Sequence, residues 1–189
     1  MMSAFGFRGG WLGVASFALA STLVAAPGIA AGADGAPDVA VKAAFLYNFA
    51  KFAEWPKLAP GAPILVCIIG NEKIAAAFAD TVRGQNISGH GLEVLRPLDP
   101  DTWGVCNLLF IADAESGRAN GGLRGLKTLP ILTVSDSNGF SQGRGIIELY
   151  IQAGQMRFAI NVDAAERSGL RLSSRLLGLA KIIRNPRVE

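Results

Sequence analysis

The chain has 189 residues, of which 18 are Lys or Arg and 15 are Asp or Glu, so its formal net charge is only +3 at pH 7. A net charge this small, with the basic residues scattered along the chain, does not indicate a nucleic-acid partner. The single histidine and the two cysteines are not spaced like zinc ligands, and we predict neither a metal site nor a cofactor.

Residues 1–33 have the order of a secretory signal peptide. Arg8 supplies a positive start, Trp11 to Ala26 carries no charge, and small residues lead up to Ala30 and Ala33. The apolar run is short and rich in Ala and Gly, whereas a membrane span needs about 20 apolar residues. We therefore predict cleavage after Ala30 or Ala33, export to the periplasm and no membrane insertion of the mature chain. An uncleaved N-terminal anchor is the alternative.

The two cysteines are Cys67 and Cys106. An even number of cysteines in an exported protein favours pairing, and with two the connectivity is forced. The chain-entropy model gives such a bond a stabilisation of about 4 kcal/mol at most. The alternative is a pair of buried free thiols. Because the spacing is not CxxC, a thioredoxin-like catalytic pair is excluded.

The first element of the mature chain is predicted to be a helix from Asp38 to Trp55, which Pro56 ends. Its apolar residues recur at spacings typical of one buried face. The alternative is a partner or dimer surface, because large exposed aromatic side chains anchor interfaces. The aromatic residues of this helix are Phe45, Tyr47, Phe49, Phe52 and Trp55.

Strands and helices then alternate. We predict strands at Ile64–Ile69, Leu92–Leu95, Leu108–Ile111 and Ile131–Val134, with helices at Glu72–Val82 and around Leu123–Lys127. This alternation is typical of a parallel sheet between two layers of helices. Two further strands, Ile146–Ile151 and Met156–Ile160, are close enough to form a hairpin, which would add an antiparallel edge.

The end of the chain is predicted to be helical. Asp163 and Glu166 have the spacing of a capping box. A last helix is expected from Ser173 or Ser174, with an apolar face formed by Leu172, Leu176, Leu179 and Ile183.

Together, these elements predict a single three-layer α/β domain over residues 38–184, with a mostly parallel sheet, helices on both faces and an antiparallel edge. A short tail follows at 185–189.

One loop has the position of a ligand site. Ser135, Asp136, Ser137 and Gly139 follow a predicted strand, and Gly70 ends another. Open α/β sheets bind ligands at the carboxyl ends of their strands, so these five residues form a candidate ligand edge. A tight turn at Asn138-Gly139 explains the same pattern.

Catalysis lacks comparable support. A hydrolase would have to use Ser135 or Ser137 with His90, which is predicted to lie in an exposed loop. No GxSxG motif is present, and such a pair would need to lie within hydrogen-bond reach. No residue is therefore predicted to be catalytic.

Several segments form a recognisable pattern in this order: Val41–Pro56, Leu132–Asp136, Gly139-Phe140, Gly145–Ile147, Phe158–Asn161, Ala165, Gly169-Leu170 and Ser173–Leu177. This pattern resembles the YfiR/HmsC-like periplasmic proteins, and the resemblance covers about residues 38–184.

The resemblance implies a regulator that represses an inner-membrane diguanylate cyclase by engaging its periplasmic part, which lowers cyclic-di-GMP and biofilm formation. It also implies a disulfide, which Cys67 and Cys106 could supply, and often a homodimer. The sequence departs from the family pattern in two places. Some members have a second disulfide, for which this chain has no cysteines, and Arg144 separates two glycines that are usually adjacent. A periplasmic small-molecule binding domain is the alternative.

Overall fold

The structure is a computed structural model that describes residues 36–97, 99–143 and 145–185. The predicted signal peptide and all of the predicted tail except Asn185 lie outside the described residues. Within the described residues, no helix combines the length and the apolar character needed to cross a membrane.

Six α-helices and one 3₁₀ helix are present in the described residues. They are α1 (Ala36–Phe52), α2 (Glu72–Val82), the 3₁₀ helix (Pro100–Val105), α3 (Asp113–Gly125), α4 (Phe140–Gly143), α5 (Val162–Arg167) and α6 (Ser174–Leu177). The strands are β1 (Ala53–Glu54), β2 (Ile64–Ile69), β3 (Asn86–Ile87), β4 (His90–Leu95), β5 (Leu108–Ile111), β6 (Leu132–Ser135), β7 (Ile147–Gln152), β8 (Gln155–Asn161), β9 (Arg171–Leu172) and β10 (Lys181–Ile183).

The main sheet has eight strands in the order β10-β8-β7-β6-β5-β2-β4-β3. Every neighbouring pair from β7 through β6, β5 and β2 to β4 is parallel, whereas β7 with β8 and β3 with β4 are antiparallel. This arrangement confirms the predicted fold class. The β7–β8 hairpin lies one strand inside the sheet, because β10 adds in parallel beside β8.

Two apolar layers enclose the sheet, because side chains alternate between the faces of each strand. On one face, α1 and α2 pack on a layer that includes Val66, Phe110 and Val134. The opposite face carries what we call the α3 layer: Cys67, Trp103, Cys106, Leu109, Ile111, Ala119, Leu123, Leu126, Ile131 and Phe140. Burial on both faces explains why β2 and β5 consist of apolar residues.

The predicted disulfide is present. Cys67 in β2 and Cys106 just before β5 are bonded, with their Cα atoms 5.9 Å apart. Both residues are buried, with exposed fractions of 0% and 2%. The bond joins the sheet to the end of the 3₁₀ helix, since Cys106 follows that helix directly.

The predicted end of the first helix and the predicted start of α3 were wrong. α1 ends at Phe52 and not at Trp55, because Ala53 and Glu54 pair with β9 to form a small two-stranded sheet. α3 begins at Asp113, well before the predicted start near Leu123. The first turns of α3 contain glycine, serine and asparagine, which have low helix propensity, so the sequence gives a weak helical pattern there.

The C-terminal prediction was also wrong in part. Ser173 does cap a helix, since its Oγ accepts a hydrogen bond from the amide N–H of Leu176 at 3.2 Å. That helix, however, is the single turn α6, and Leu179 beyond it is 71% exposed. The chain then forms β10, because the outer edge of β8 offers unpaired backbone groups.

The predicted capping box at Asp163 and Glu166 is replaced by another cap. Asn161 precedes α5, and its Oδ1 accepts a hydrogen bond from the N–H of Ala164 at 2.9 Å. Asp163 instead accepts a hydrogen bond from the N–H of Asn185 at 2.8 Å.

Candidate functional site

The five residues of the predicted ligand edge lie after β2 and at or after the end of β6, and they do not form one crevice. Gly70 directly follows β2, and Ser135 is the last residue of β6. Both lie at the carboxyl ends of parallel strands, which is the same edge of the sheet. β5 lies between these two strands. The edge therefore has two parts, one over Gly70 and one in the loop after β6.

The space over Gly70 is filled by a side chain of the protein itself. Gly70 has a φ of +82°, and a Cβ at this position would lie 2.5 Å from Cγ of Glu115. The connections that leave β2 and β4 run to opposite sides of β2, so this is the switch point where open α/β sheets usually hold ligands. Glu115 from α3 occupies the volume that a ligand over Gly70 would need.

The loop after β6 is held by an ionic and hydrogen-bonded cluster centred on Asp136. Its Oδ2 accepts a hydrogen bond from Nζ of Lys42 at 2.7 Å, and its Oδ1 accepts one from the N–H of Asp113 at 2.7 Å. Nζ of Lys42 also lies 2.8 Å from Oδ2 of Asp38, one turn earlier in α1. Asp136 thus ties α1, the first turn of α3 and the β6 loop together.

Lys42 is 5% exposed, which is rare for a lysine. Burial by itself lowers the pKa of Lys42. The hydrogen bonds that its ammonium donates to Asp136 and Asp38, together with the charges of these carboxylates, outweigh burial and raise that pKa above its ordinary 10.5. The ammonium is therefore charged at neutral pH and lies between the two carboxylates, where it offsets part of their negative charge. This cluster was not predicted, because its members lie far apart in the sequence.

Ser135 and Ser137 take part in the turn after β6. Ser135 is fully buried, and its Oγ accepts a hydrogen bond from the N–H of Ser137 at 3.0 Å. A buried hydroxyl with this local partner serves the backbone and has no surface for a ligand. Ser137 and Gly139 are half-buried and remain candidates for ligand contact.

Glu148 is a site residue that the sequence analysis missed. It lies in β7, is 6% exposed, and anchors the loop from the far side. Oε1 accepts a hydrogen bond from the N–H of Gly139 at 3.0 Å, and Oε2 accepts bonds from the N–H and Oγ of Ser141 at 3.0 Å and 2.7 Å. The sequence signal that could have identified Glu148 is a single carboxylate inside an otherwise mostly apolar strand. A carboxylate buried there needs several hydrogen-bond donors around it.

The loop is also held at the carbonyl of Ser141, which accepts a hydrogen bond from Nδ2 of Asn161 at 2.7 Å. Asn161, which caps α5, is fully buried. One amide side chain therefore joins the loop to the start of α5. The path from Asp136 to Ser141 is fixed by side chains from β7 and β8, as well as from α1.

Two open depressions flank this loop. One has a volume of about 460 Å³ and is lined in part by Asp136, Glu148, Tyr150 and Lys181. The other has a volume of about 410 Å³, and its lining includes Arg124, Ser137, Asn138 and Gly139. Each is large enough for a small polar molecule. Asp136, Ser137 and Gly139 therefore line open space, unlike Gly70 and Ser135.

The five aromatic residues of the predicted partner surface differ in exposure. Phe49 is fully buried and Trp55 is 8% exposed, with its Nε1 donating to the carbonyl of Asn107 at 3.0 Å. These two side chains belong to the core and offer no accessible surface. Phe45, Tyr47 and Phe52 are half-buried, so the partner surface stays a prediction for these three.

The hydrolase alternative is excluded. His90 begins β4, and Nδ1 of its ring is 2.7 Å from the carbonyl oxygen of Ala62, so the prediction of an exposed loop was wrong. β4 and β6 are separated by β2 and β5, which places His90 and Ser135 at least about 14 Å apart. Within the described ranges, no three His, Cys, Asp or Glu side chains come together as metal ligands.

Comparison with known proteins gives one family match. The family described as YfiR/HmsC-like matches residues 39–181. Among solved structures, a conserved domain protein from Vibrio cholerae O1 biovar El Tor strain N16961 is similar over 78% of this chain and 60% of that chain, with 10% identity and a TM-score of 0.45. The family match covers every element from α1 to the start of β10.

Proposed function

This chain belongs to the YfiR/HmsC-like family of periplasmic regulators, and we propose that it represses an inner-membrane diguanylate cyclase by binding the periplasmic part of that enzyme. Repression lowers cyclic-di-GMP and with it biofilm formation. The protein acts by binding and not by catalysis. The observation that carries the proposal is the family match over residues 39–181.

The physical requirement for such repression is modest. The regulator has to bind the inactive conformation of the cyclase more tightly than the active one, which shifts the population toward the inactive state. A rigid surface suits this task, because a preorganised surface loses little entropy on binding. The disulfide and the polar cluster at the β6 loop both contribute rigidity.

The contact surface that we propose consists of the half-buried aromatic residues of α1, namely Phe45, Tyr47 and Phe52. Their partly exposed rings can still bury area against a partner, and aromatic anchors often dominate interface energetics. The hydroxyl of Tyr47 donates a long hydrogen bond to Oε1 of Gln85 at 3.5 Å. Phe45 and Phe52 lie on one side of α1 and Tyr47 on the other, because two residues turn an α-helix by about 200°. A second copy of the chain or the cyclase could contact either side.

The mature chain also has to reach the periplasm. We propose export by the signal peptide at residues 1–33, with cleavage after Ala30 or Ala33. Fractionation of cells followed by intact-mass measurement tests this directly. If the protein were found in the membrane fraction with residues 1–33 still attached, an uncleaved N-terminal anchor would be supported instead.

The function is tested by measuring cyclic-di-GMP in cells that lack this gene, with and without a plasmid copy. We expect the deletion to raise cyclic-di-GMP and the plasmid to restore the original level. An unchanged level in cells shown to express membrane diguanylate cyclases would contradict the proposal.

A second candidate function is binding of a small polar molecule in the periplasm. The depression of about 460 Å³ beside Asp136 and Lys181 favours it, because phenol, amine and amide groups line that space together with apolar ones. Bound ligand could act as the effector that relieves repression, so the two functions are compatible.

The two tyrosines of the chain distinguish the two candidate surfaces, α1 and the depression. Both are half-buried, but Tyr47 lies in α1 and Tyr150 lines the depression. Tyr47→Ala should weaken binding of a purified cyclase periplasmic domain about 5- to 30-fold, the range of an interface anchor. Tyr150→Ala should leave that affinity unchanged. The reverse pattern would favour the depression as the functional surface.

A further inference from the structure

The helix α3 is built from residues that favour other conformations. Four of its 13 residues are glycine, at positions 117, 121, 122 and 125. Glycine has the lowest helix propensity of any residue except proline, because it loses the most backbone freedom. The residue before the helix, Ala112, makes no side-chain cap. α3 is therefore held in place by tertiary contacts and not by its own sequence.

The apolar part of those tertiary contacts is small. Ala119, Leu123 and Leu126 are the side chains that α3 and the residue after it contribute to the α3 layer. The backbone of Gly122 lies against the 3₁₀ helix, where a Cβ would be 2.8 Å from Cβ of Pro100 and 2.9 Å from Cζ3 of Trp103. An element with weak propensity and a small apolar anchor opens locally more easily than the strands beneath it.

Beneath this element lies the disulfide. Cys67, Cys106 and Trp103 belong to the same α3 layer, and the N–H of Cys106 donates to the carbonyl of Trp103 at 3.1 Å. With exposed fractions of 0% and 2%, neither cysteine can be reached by a thiol in the closed structure. Chemistry at this bond requires that the covering elements move.

We propose that α3 and the 3₁₀ helix form a gate over Cys67–Cys106, so that local opening of this gate sets the rate at which a thiol reaches the disulfide. In the open state a thiolate attacks one sulfur, forms a mixed disulfide and releases the other cysteine as a thiolate. A second thiolate of the same dithiol then displaces the first cysteine. The protein gains two electrons, and the dithiol is oxidised to its cyclic disulfide. This inference does not depend on which partner the protein binds.

The glycines offer a direct way to change the gate. At Gly117, Gly121 and Gly125 a Cβ would meet nothing within 4 Å, so alanine fits without displacing a neighbour. Each replacement favours the helical state and should lower the open fraction about threefold. The three together should lower it about thirtyfold. Gly91 in β4 has equally open surroundings and gives a matched control outside the gate.

The test uses the full chain, with dithiothreitol as the reductant. The rate of disulfide reduction is followed by alkylation and mass measurement, and hydrogen exchange of the α3 amides is measured in parallel. We expect Gly117→Ala/Gly121→Ala/Gly125→Ala to slow both processes about thirtyfold. Gly91→Ala should change neither. Gly122→Ala should speed both, because its Cβ would press on Trp103 and Pro100.

The dependence on urea distinguishes local from global opening. A local opening exposes little surface, so low urea concentrations should hardly change the reduction rate. A rate that rises as steeply with urea as global unfolding does would overturn the proposal. It would also be overturned if the triple variant slowed α3 exchange but not reduction, or if the α3 amides exchanged as slowly as those of β5.

Discussion

Replacing Lys42 by methionine tests whether the cluster at the β6 loop stabilises the fold. Methionine keeps the length and apolar stem of lysine but removes the ammonium that lies 2.7 Å from Asp136 and 2.8 Å from Asp38. Two carboxylates are then left close together without a balancing charge. Their repulsion and incomplete hydration both disfavour the folded state.

The expected loss follows from the burial of the three side chains. Removing one partner of a fully buried ion pair costs about 3–5 kcal/mol, because the remaining charge is uncompensated. Here the lysine side chain is 6% exposed, but those of Asp38 and Asp136 are 24% and 17% exposed. Water can partly solvate the carboxylates, so we expect a loss of about 2 kcal/mol in the free energy of unfolding.

The assay is urea unfolding at pH 7, followed by circular dichroism. Lys51→Met is the matched control, since Lys51 lies on the same helix and is exposed. It should change stability by less than about 0.5 kcal/mol. Adding Asp136→Asn to Lys42→Met should recover part of the loss, because it removes one of the two uncompensated charges.

The pH dependence adds an independent check. The pKa of Lys42 is raised above 10.5 in the folded chain, so between the unfolded and folded pKa values the folded chain binds more protons. The contribution of Lys42 is therefore fully present below about pH 10.4, the unfolded pKa, and is lost as the pH rises through the folded pKa. The stability difference between the wild type and Lys42→Met should shrink accordingly.

Two results would refute this reasoning. One is a loss below about 0.5 kcal/mol in Lys42→Met at pH 7, which would mean that the ion pairs contribute no more than ordinary surface pairs. The other is an additive double variant, with Asp136→Asn adding its own full loss to that of Lys42→Met. Additivity would show that the two side chains are not coupled.

The remaining predictions concern the disulfide and the loop anchor. Cys67→Ser/Cys106→Ser should lower the free energy of unfolding by up to about 4 kcal/mol, because the bond closes a loop with a sequence separation of 39. A loss under about 0.5 kcal/mol in guanidinium unfolding would contradict a structural role. Glu148→Gln should cost about 2 kcal/mol, because an amide nitrogen would face donors from Gly139 and Ser141. Ser141→Ala removes one of those bonds and should cost about 1 kcal/mol in the same assay. Equal stability of the Glu148 variant and the wild type would show that the carboxylate does not anchor the loop.

Elements that bury residues on a regular pattern were predictable from the sequence. β2, β5 and α2 have the predicted bounds, since continuous apolar runs define buried strands and an amphipathic run before Gly84 defines a helix. The disulfide followed from the count of two cysteines, and the mostly parallel sheet followed from the alternation of strands and helices. Each of these conclusions follows from a pattern or a count that is visible in the sequence itself.

Other features depended on residues that are distant in sequence. Nothing near Lys42 indicates that Asp136 will lie 2.7 Å away, and nothing near Gly70 indicates that Glu115 will fill the space above it. Leu179 continues an apolar helical pattern, yet the chain leaves the helix there because the edge of β8 pairs with Lys181–Ile183. Sequence periodicity determined which segments are buried in sheet and helix, because burial of one face imposes a local pattern. Only the tertiary structure decided which charges meet, which crevices close and how the chain ends, because these depend on contacts that leave no local pattern.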